Sequence, residues 1–259
     1  RDMVQKRLSM KKLSAPALLM AAFTMAAGMF ASAPDVQAKE TPFAKVAGNM
    51  TQEALNKQLI DAVWWRDTEK VVRFLDQGAD IHVENDEAMF IASFLNDIPT
   101  VYELLKRGAD KKMFDNGRLA RAVYDGDIAK VNMALRQGGD ARAKDSFALR
   151  RSILLGYDEI ATLLINYGAD INAGNGEVLA NAAGTGQAEL VAYLLDQGAD
   201  IHARDNAALM VASIRGHTDV VRVLLERGAD IDARNGDALF WAKKQGHKDV
   251  VKVLKEWKA

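Results

Sequence analysis

A tripeptide recurs every 30 residues along most of this chain, and its spacing limits the possible folds more than any other feature of the sequence. The six copies are Gly78-Ala79-Asp80, Gly108-Ala109-Asp110, Gly138-Gly139-Asp140, Gly168-Ala169-Asp170, Gly198-Ala199-Asp200 and Gly228-Ala229-Asp230. A period between about 20 and 50 residues is typical of a solenoid, in which each unit buries its apolar face against its neighbours. The sequence therefore predicts an array that presents a long surface rather than an enclosed pocket.

Within each repeat, the spacing of apolar residues predicts two helices joined by a tight turn. For residues 201–230 we expect an extended stretch over 201–204, helix N-caps at Asp205 and Asn206, and helices over 207–215 and 219–227. Gly216 suits the left-handed C-cap of the first helix. The position of Leu209 is apolar in every copy from Leu59 to Leu239, which predicts that it belongs to the core.

The repeats predict an all-α solenoid of about seven helix-turn-helix units over residues 51–259. Their expected bounds are 51–77, 78–107, 108–137, 138–167, 168–197, 198–227 and 228–259. The last copy replaces the apolar Leu225 position with Lys255, as expected for a terminal repeat with a solvated outer face.

The sequence of residues 216–230, GHTDVVRVLLERGAD, resembles the second half of an ankyrin repeat, and residues 246–251, GHKDVV, repeat its start. The resemblance covers about residues 51–259. An ankyrin unit has 33 residues and a Thr-Pro-Leu-His signature, whereas this chain has 30-residue units with Ala208-Leu209-Met210 at that position. The resemblance thus implies an ankyrin-repeat solenoid with shortened β-hairpin fingers between its units.

Residues 1–38 have the pattern of a secretory signal peptide whose start is Met10. Lys11 and Lys12 precede an apolar stretch over residues 13–31, and Val36 and Ala38 place small residues before a cleavage site at Lys39. An uncleaved membrane anchor is the alternative. We expect cleavage between Ala38 and Lys39, a linker over residues 39–50 and no membrane span in the mature chain. The chain thus resembles bacterial exported ankyrin-repeat proteins, which implies the periplasm in a Gram-negative source.

Charge and composition argue against several classes of function. Beyond residue 38 the chain has 29 basic and 33 acidic side chains, which disfavours nucleic acid as a partner. The absence of cysteine excludes disulfides, Cys-ligated zinc and thiol catalysis. His217 and His247 are one repeat apart, about 10 Å, which is too far for one zinc ion. We expect no metal and no cofactor, and we expect the repeated aspartates to cap backbone turns.

Side chains that vary between copies predict where a partner binds. The resemblance implies that the outward side of each first helix lines a concave recognition surface, and one position there is aromatic or aliphatic in the early repeats. The predicted protein-binding residues are Trp64, Trp65, Ile91, Phe94, Leu95, Arg121, Tyr124, Arg151 and Leu154. Aromatic residues beside arginines are typical of interaction hot spots. Two alternatives are that residues 39–50 cover these side chains, or that they belong to the core.

The sequence thus predicts a monomeric, exported protein–protein interaction module. Its expected role is that of an accessory or inhibitor that binds one partner protein through the concave face of its N-terminal repeats. A multivalent envelope scaffold with several weak partners is the alternative. An enzymatic function is the least favoured alternative, because catalysis needs a cleft and a repeat array of this kind is not expected to form one.

Overall fold

The computed structural model of the protein describes residues 50–258, and helices are the regular secondary structure throughout that part of the chain. The first four are α1 (Gln52–Trp64), α2 (Thr68–Asp76), α3 (Val83–Phe94) and α4 (Ile98–Lys106). The next ten are α5 (Lys111–Tyr124), α6 (Ile128–Arg136), α7 (Ala143–Leu155), α8 (Asp158–Asn166), α9 (Ala173–Thr185), α10 (Ala188–Asp196), α11 (Ala203–Arg215), α12 (Thr218–Glu226), α13 (Ala233–Gln245) and α14 (Lys248–Trp257). The prediction of an all-α fold of seven helix pairs is confirmed for these residues. The predicted signal peptide, its cleavage site and most of the linker lie outside them.

Two compact units divide the described chain, one ending at Ala109 and one beginning at Asp110. In the first unit, α1 packs against α2 and α3, and α4 packs against α2 and α3. In the second unit, the first helices of successive repeats stack side by side in chain order, and each second helix packs against the first helix of its own repeat. The second unit is therefore a continuous stack of five helix pairs.

The core consists of the positions that recur at 30-residue steps. The Leu209 position is at most 2% exposed in six copies: Leu59, Met89, Leu119, Leu149, Leu179 and Leu209. The position of Ala212, always alanine or serine, is at most 4% exposed in each copy, and its small side chain lets neighbouring helices approach closely. Burying a side chain such as leucine contributes about 2 kcal/mol to folding, so these predicted core positions supply much of the stability of the stack.

The repeated aspartates cap their own turns, as predicted. Oδ1 of Asp200 accepts a hydrogen bond of 2.9 Å from the backbone N–H of His202, two residues later. The other five aspartates accept the same bond, from His82, Lys112, Arg142, Asn172 and Asp232. This Asx turn ends the glycine loop in each repeat and starts the approach to the next first helix.

At five junctions, a polar side chain of one repeat forms a hydrogen bond to the next repeat. Oδ1 of Asn206, which is 6% exposed, accepts a hydrogen bond of 2.8 Å from the N–H of Asp230. Asn56, Asn116 and Ser146 accept the equivalent bond in their repeats. Where this position is Gly176, Oδ1 of Asn172 instead accepts the hydrogen bond from the N–H of Asp200, also at 2.8 Å. Because the donor and the acceptor belong to different repeats, this bond fixes the register of the two repeats that it joins.

A left-handed turn replaces the predicted extended stretch, and the expected β-hairpin fingers do not occur within residues 50–258. Arg204, Asp205 and Asn206 have φ angles of 53°, 55° and 59°. Residues 84–86, 144–146, 174–176 and 234–236 repeat this conformation. The middle residue is always Asn or Asp, the types that best tolerate the left-handed region. With three residues fewer than the family unit, the connection is too short for a hairpin.

The predicted N-caps at Asp205 and Asn206 are therefore wrong. Both residues lie in the left-handed turn, before the right-handed part of α11 begins. Asn206 instead accepts the bond from Asp230, and Asp205 lies 3.6 Å from the guanidinium of Arg234. The predicted right-handed helices over 207–215 and 219–227 agree with α11 and α12 to within one residue at their ends.

The repeat that contains Phe114 shows why the left-handed turn depends on sequence. Phe114 occupies the first position of the turn, where the other connections have Glu84, Lys144, Gly174, Arg204 and Arg234. A bulky aromatic residue is strongly disfavoured at positive φ. In this repeat α5 instead runs without a left-handed segment from Lys111 to Tyr124.

Candidate functional site

In the first unit, the predicted site residues differ widely in exposure. Trp65 follows the end of α1 and is 61% exposed. Trp64, the last residue of α1, and Leu95, the residue after α3, are both half-buried. A tryptophan with more than half of its surface in solvent is unusual for a side chain of this size. Trp65 is therefore the most accessible candidate contact of residues 50–109.

Ile91 and Phe94 do not line an open surface. Their side chains are 1% and 2% exposed, so their predicted place on an accessible binding face is corrected. Every residue from Ala88 to Phe94 is buried. These seven residues place apolar side chains on all sides of α3, and a helix without a polar face is buried all round. Burial of these two residues agrees with the two alternatives, that they are covered or that they belong to the core.

In the second unit, the structure brings Tyr124 and Arg151 together on adjacent helices. Tyr124 is the last residue of α5, and the guanidinium carbon of Arg151 on α7 lies 5.6 Å from the centre of its ring. This is within the range of a cation–π contact. Leu154, one turn further along α7, is 44% exposed. Three predicted residues thus form one patch with aromatic, cationic and aliphatic parts.

Arg121 has a different environment from Arg151. Its Nε donates to both carboxylate oxygens of Asp125, at 2.9 and 3.1 Å, one turn along the same helix. No carboxylate of residues 50–258 forms such an ion pair with Arg151. Arg121 is therefore already neutralised, and Arg151 is the cation that this patch offers to a partner.

The last repeat carries another cation–aromatic pair, which the sequence analysis did not predict. Nζ of Lys244 lies 4.5 Å from the ring centre of Trp241 and 5.9 Å from that of Phe240, all on α13. Phe240 is 56% exposed. The signal was present in the sequence, because a lysine three residues after a tryptophan lies on the same side of a helix.

Both pairs lie on one face of the second unit, which we call the first-helix surface. It comprises the outward positions of α5, α7, α9, α11 and α13: Arg121, Tyr124, Arg151, Leu154, Asn181, Gly184, Val211, Ile214, Trp241 and Lys244. Between the two pairs it offers Val211 and Ile214, which are half-buried. The surface thus has two cationic points separated by a largely apolar stretch.

The carboxylates of the second helices face other environments. Burial and the nearby Glu189 raise the pKa of Asp158 at the start of α8. Hydrogen bonds from the side chain and the backbone N–H of Lys70 lower the pKa of Asp67, the N-cap of α2. Neither group belongs to the first-helix surface, so both pKa shifts reflect the environment at helix ends and not a site for a partner.

The histidines of the Gly-His turns connect repeats. Nε2 of His217 lies 3.0 Å from the carbonyl oxygen of Gly184, and Nε2 of His247 lies 2.9 Å from that of Ile214. Each ring therefore donates to the end of the preceding first helix. Within residues 50–258, no three histidine or carboxylate side chains cluster in a way that could hold a metal ion.

A shallow depression of about 490 Å³ lies among the turns of the middle repeats. Its lining includes Ser146, Asp170 and Asn172. Oγ of Ser146 accepts from the N–H of Asp170, and Oδ1 of Asp170 accepts from the N–H of Asn172. These polar atoms already stabilise the repeat, so the depression follows from the turn structure.

The family of Ankyrin repeats (3 copies) matches residues 119–205 and 179–259. Together these matches cover more than half of the 259 residues, and the chain belongs to the ankyrin-repeat family. Ankyrin repeats generally mediate protein–protein interaction and are typically not enzymes, so the chain belongs to a class with protein partners. A comparison with curated proteins gives no match. Across residues 50–258, every helix is too short or too polar to span a membrane.

Proposed function

We propose that this protein is an exported accessory or inhibitor that binds one partner protein through its N-terminal repeats. The observation that carries the proposal is the patch of Tyr124, Arg151 and Leu154. Its aromatic ring and guanidinium are held together at 5.6 Å, and an exposed leucine lies beside them. Aromatic and arginine side chains dominate the binding energy of protein interfaces. Trp65 adds a separate exposed anchor in residues 50–109.

Capture of the partner by the immobilised protein tests this proposal. Exchanging Tyr124 and Leu154 for alanine should reduce capture by at least about tenfold, because interface anchors each contribute about 1–2 kcal/mol or more. The matched control is Met133→Ala with Ile128→Ala, since both side chains are exposed on α6, away from the first-helix surface. Thermal melts of both double variants separate loss of binding from loss of folding.

Two results would contradict the proposed role. If the Tyr124 and Leu154 variant retains full capture while the α6 variant loses it, the binding site lies elsewhere. If quantitative mass spectrometry finds several weakly bound proteins instead of one stoichiometric partner, the alternative of a multivalent scaffold replaces that of an accessory or inhibitor. The proposal includes a monomeric free state, which light scattering after size exclusion measures directly.

Export is part of the proposal, and it depends on the residues before Lys39. A secreted or periplasmic product should have an intact mass that corresponds to a chain beginning at Lys39. Replacing Ala38 by arginine should block this processing, because the protease that removes signal peptides needs a small residue at this position. Replacing it by serine is the matched control. An unprocessed wild-type chain in the cytoplasm would contradict the proposal.

A further inference from the structure

The two cation–aromatic pairs of the first-helix surface share a property that bears on the partner. In each pair an aromatic ring orients the cation, and no carboxylate of residues 50–258 forms an ion pair with Arg151 or Lys244. A cation over a ring keeps the ring's attraction and still has donors free for a second ligand. Both pairs therefore hold a positive charge ready for an acceptor.

Three other basic side chains of these helices already have hydrogen-bond partners within the protein. Arg121 pairs with Asp125, and Arg150 donates to Glu177 at a distance of 2.5 Å. Arg118 donates to the side-chain oxygen of Gln137. Arg215 and Lys243 are exposed and also lack an ion pair, but no aromatic ring of residues 50–258 holds either of them. Arg151 and Lys244 are thus the cations without an ion pair that are already oriented for an approaching anion.

We infer that the partner segment recognised by the first-helix surface is an extended, acidic stretch of protein whose carboxylates bind Arg151 and Lys244. This inference rests on the proposed function, names the chemistry of its partner and extends the contact from the patch at Tyr124 to the last repeat. A protein segment fits better than nucleic acid because Val211 and Ile214 are apolar and Asn181 is neutral. A nucleic acid strand carries a phosphate about every 3.4 Å and favours a continuous row of cations, whereas this surface has two separated ones.

The stack predicts the spacing of the acidic residues. Three helix-to-helix steps lead from α7 to α13, through α9 and α11. At about 10 Å per step, the two cations are about 30 Å apart. A proline-rich extended segment rises about 3.1 Å per residue, so about ten residues span that distance. The inferred ligand carries one acidic group near each end of such a segment and apolar residues between them.

Fluorescence anisotropy with synthetic peptides tests the inference on the full-length mature chain. The probe has two Glu-Glu pairs separated by ten residues of proline and leucine. A second probe has the same four glutamates but a four-residue spacer, which cannot reach both cations. A third probe carries glutamine in place of glutamate. We expect the long acidic probe to bind at least about fivefold tighter than the other two, because only it engages both points at once.

Charge-neutralising variants locate the binding. Arg151→Gln with Lys244→Gln should weaken binding of the long acidic probe about fivefold, because two exposed ion pairs of about 0.5 kcal/mol each are lost. The matched control, Arg136→Gln with Arg222→Gln, removes two exposed arginines from second helices and changes the net charge equally. This control should leave binding unchanged. All variants should have the circular dichroism spectrum of the wild type, which shows that they remain folded.

Each other outcome overturns the inference. Equal binding of the three probes, no binding of the long acidic probe, or equal effects of the two variant pairs would each reject it. Tighter binding of a DNA oligonucleotide than of the acidic probe would assign the surface to nucleic acid instead. Failure here differs from failure of the proposed function, because partner capture that depends on Tyr124 and Leu154 but not on Arg151 and Lys244 would reject the acidic ligand alone.

Discussion

Short polar side chains determine the backbone at equivalent places in successive repeats. Asp200 accepts a hydrogen bond from the N–H of His202 within its own turn, and Asn206 accepts one from the N–H of Asp230 in the next repeat. Both acceptors satisfy backbone donors that would otherwise lose hydrogen bonds to water. At the scale of single residues, the turns are therefore stabilised by carboxylate and amide oxygens at the points where the chain changes direction.

Replacing Asp200 by alanine should lower the free energy of unfolding by about 1 kcal/mol, the usual cost of losing a capping acceptor. Chemical denaturation measures this loss. Asp200→Asn should retain most of the stability, because its amide oxygen still accepts the His202 N–H. Equal losses in the two variants would show that charge, not the hydrogen bond, is what Asp200 contributes.

The acid limb of stability should depend on Asp67. Hydrogen bonds from Lys70 lower the pKa of Asp67 in the folded state, so its stabilising contribution exists above the ordinary pKa of about 3.9. The contribution is lost as pH falls through the lowered folded pKa. Asp67→Asn should therefore reduce stability at pH 7 by no more than about 1 kcal/mol, because the group is exposed. The difference from wild type should shrink in denaturation curves taken below pH 4.

Asp158 provides a control of opposite sign. Burial and Glu189 raise its pKa in the folded state, so its ionisation destabilises the protein as pH rises through that range. Asp158→Asn should consequently equal or exceed wild type in stability at pH 7, and the difference should disappear in acid. The same pH trend in both variants would contradict these assignments.

At the scale of elements, the connection between repeats has two forms. Five connections contain three consecutive residues at positive φ, and the one with Phe114 continues as a right-handed helix. Left-handed residues other than glycine cost about 1–2 kcal/mol each. In the segments over 144–146 and 204–206, two hydrogen bonds offset this cost. The Asx turn forms before each segment, and the last residue, Ser146 or Asn206, accepts a bond from the next repeat.

Gly236 offers the clearest test of the left-handed turn. Its φ is 79°, and a Cβ added there would meet no atom within 4 Å, so only backbone conformation opposes a side chain. Gly236→Ala should destabilise the protein by about 1–2 kcal/mol, measured by thermal or urea unfolding. In a right-handed helix the same change would stabilise by about 1 kcal/mol. Gly236→Asn should cost less than alanine, since Asn206 occupies this position in the preceding repeat.

The sequence predicted the helices and the core well because both follow from local periodicity. Leu209 and its equivalents recur at helical spacing, and the structure buries them as expected. The left-handed turn was missed because Arg204 has no intrinsic preference for positive φ, and only the shortened connection imposes it. Ile91 and Phe94 were misplaced because aligning repeats assigns every copy the same environment, whereas α3 has an apolar sequence on all sides.

At the scale of the whole molecule, the stability of each repeat depends on its contacts with the neighbouring repeats. In residues 110–258 each first helix contacts the one before and the one after it. Energies in such an array are approximately a sum of repeat terms and interface terms between nearest neighbours. A core change in one repeat should therefore weaken the repeats on either side, and distant repeats much less.

Leu179→Ala at the middle of the second unit should show this spread. Leu179 is 2% exposed, and the change should cost about 2–5 kcal/mol. Hydrogen exchange should then report lost protection in α7 and α11 as well as α9. Met133→Ala, on an exposed side chain of the same unit, should leave exchange unchanged. Loss confined to α9 would contradict the nearest-neighbour coupling.

The turn that replaces the hairpin also affects how copies of this protein meet one another. A hairpin exposes a row of unpaired backbone groups on its outer strand, and such rows template pairing between molecules and aggregation. Between residues 50 and 258 the connections are left-handed or helical turns, so that part of the chain has no strand edge for another copy to extend. At high concentration, this array should therefore aggregate less through strand pairing than an array with longer hairpin fingers.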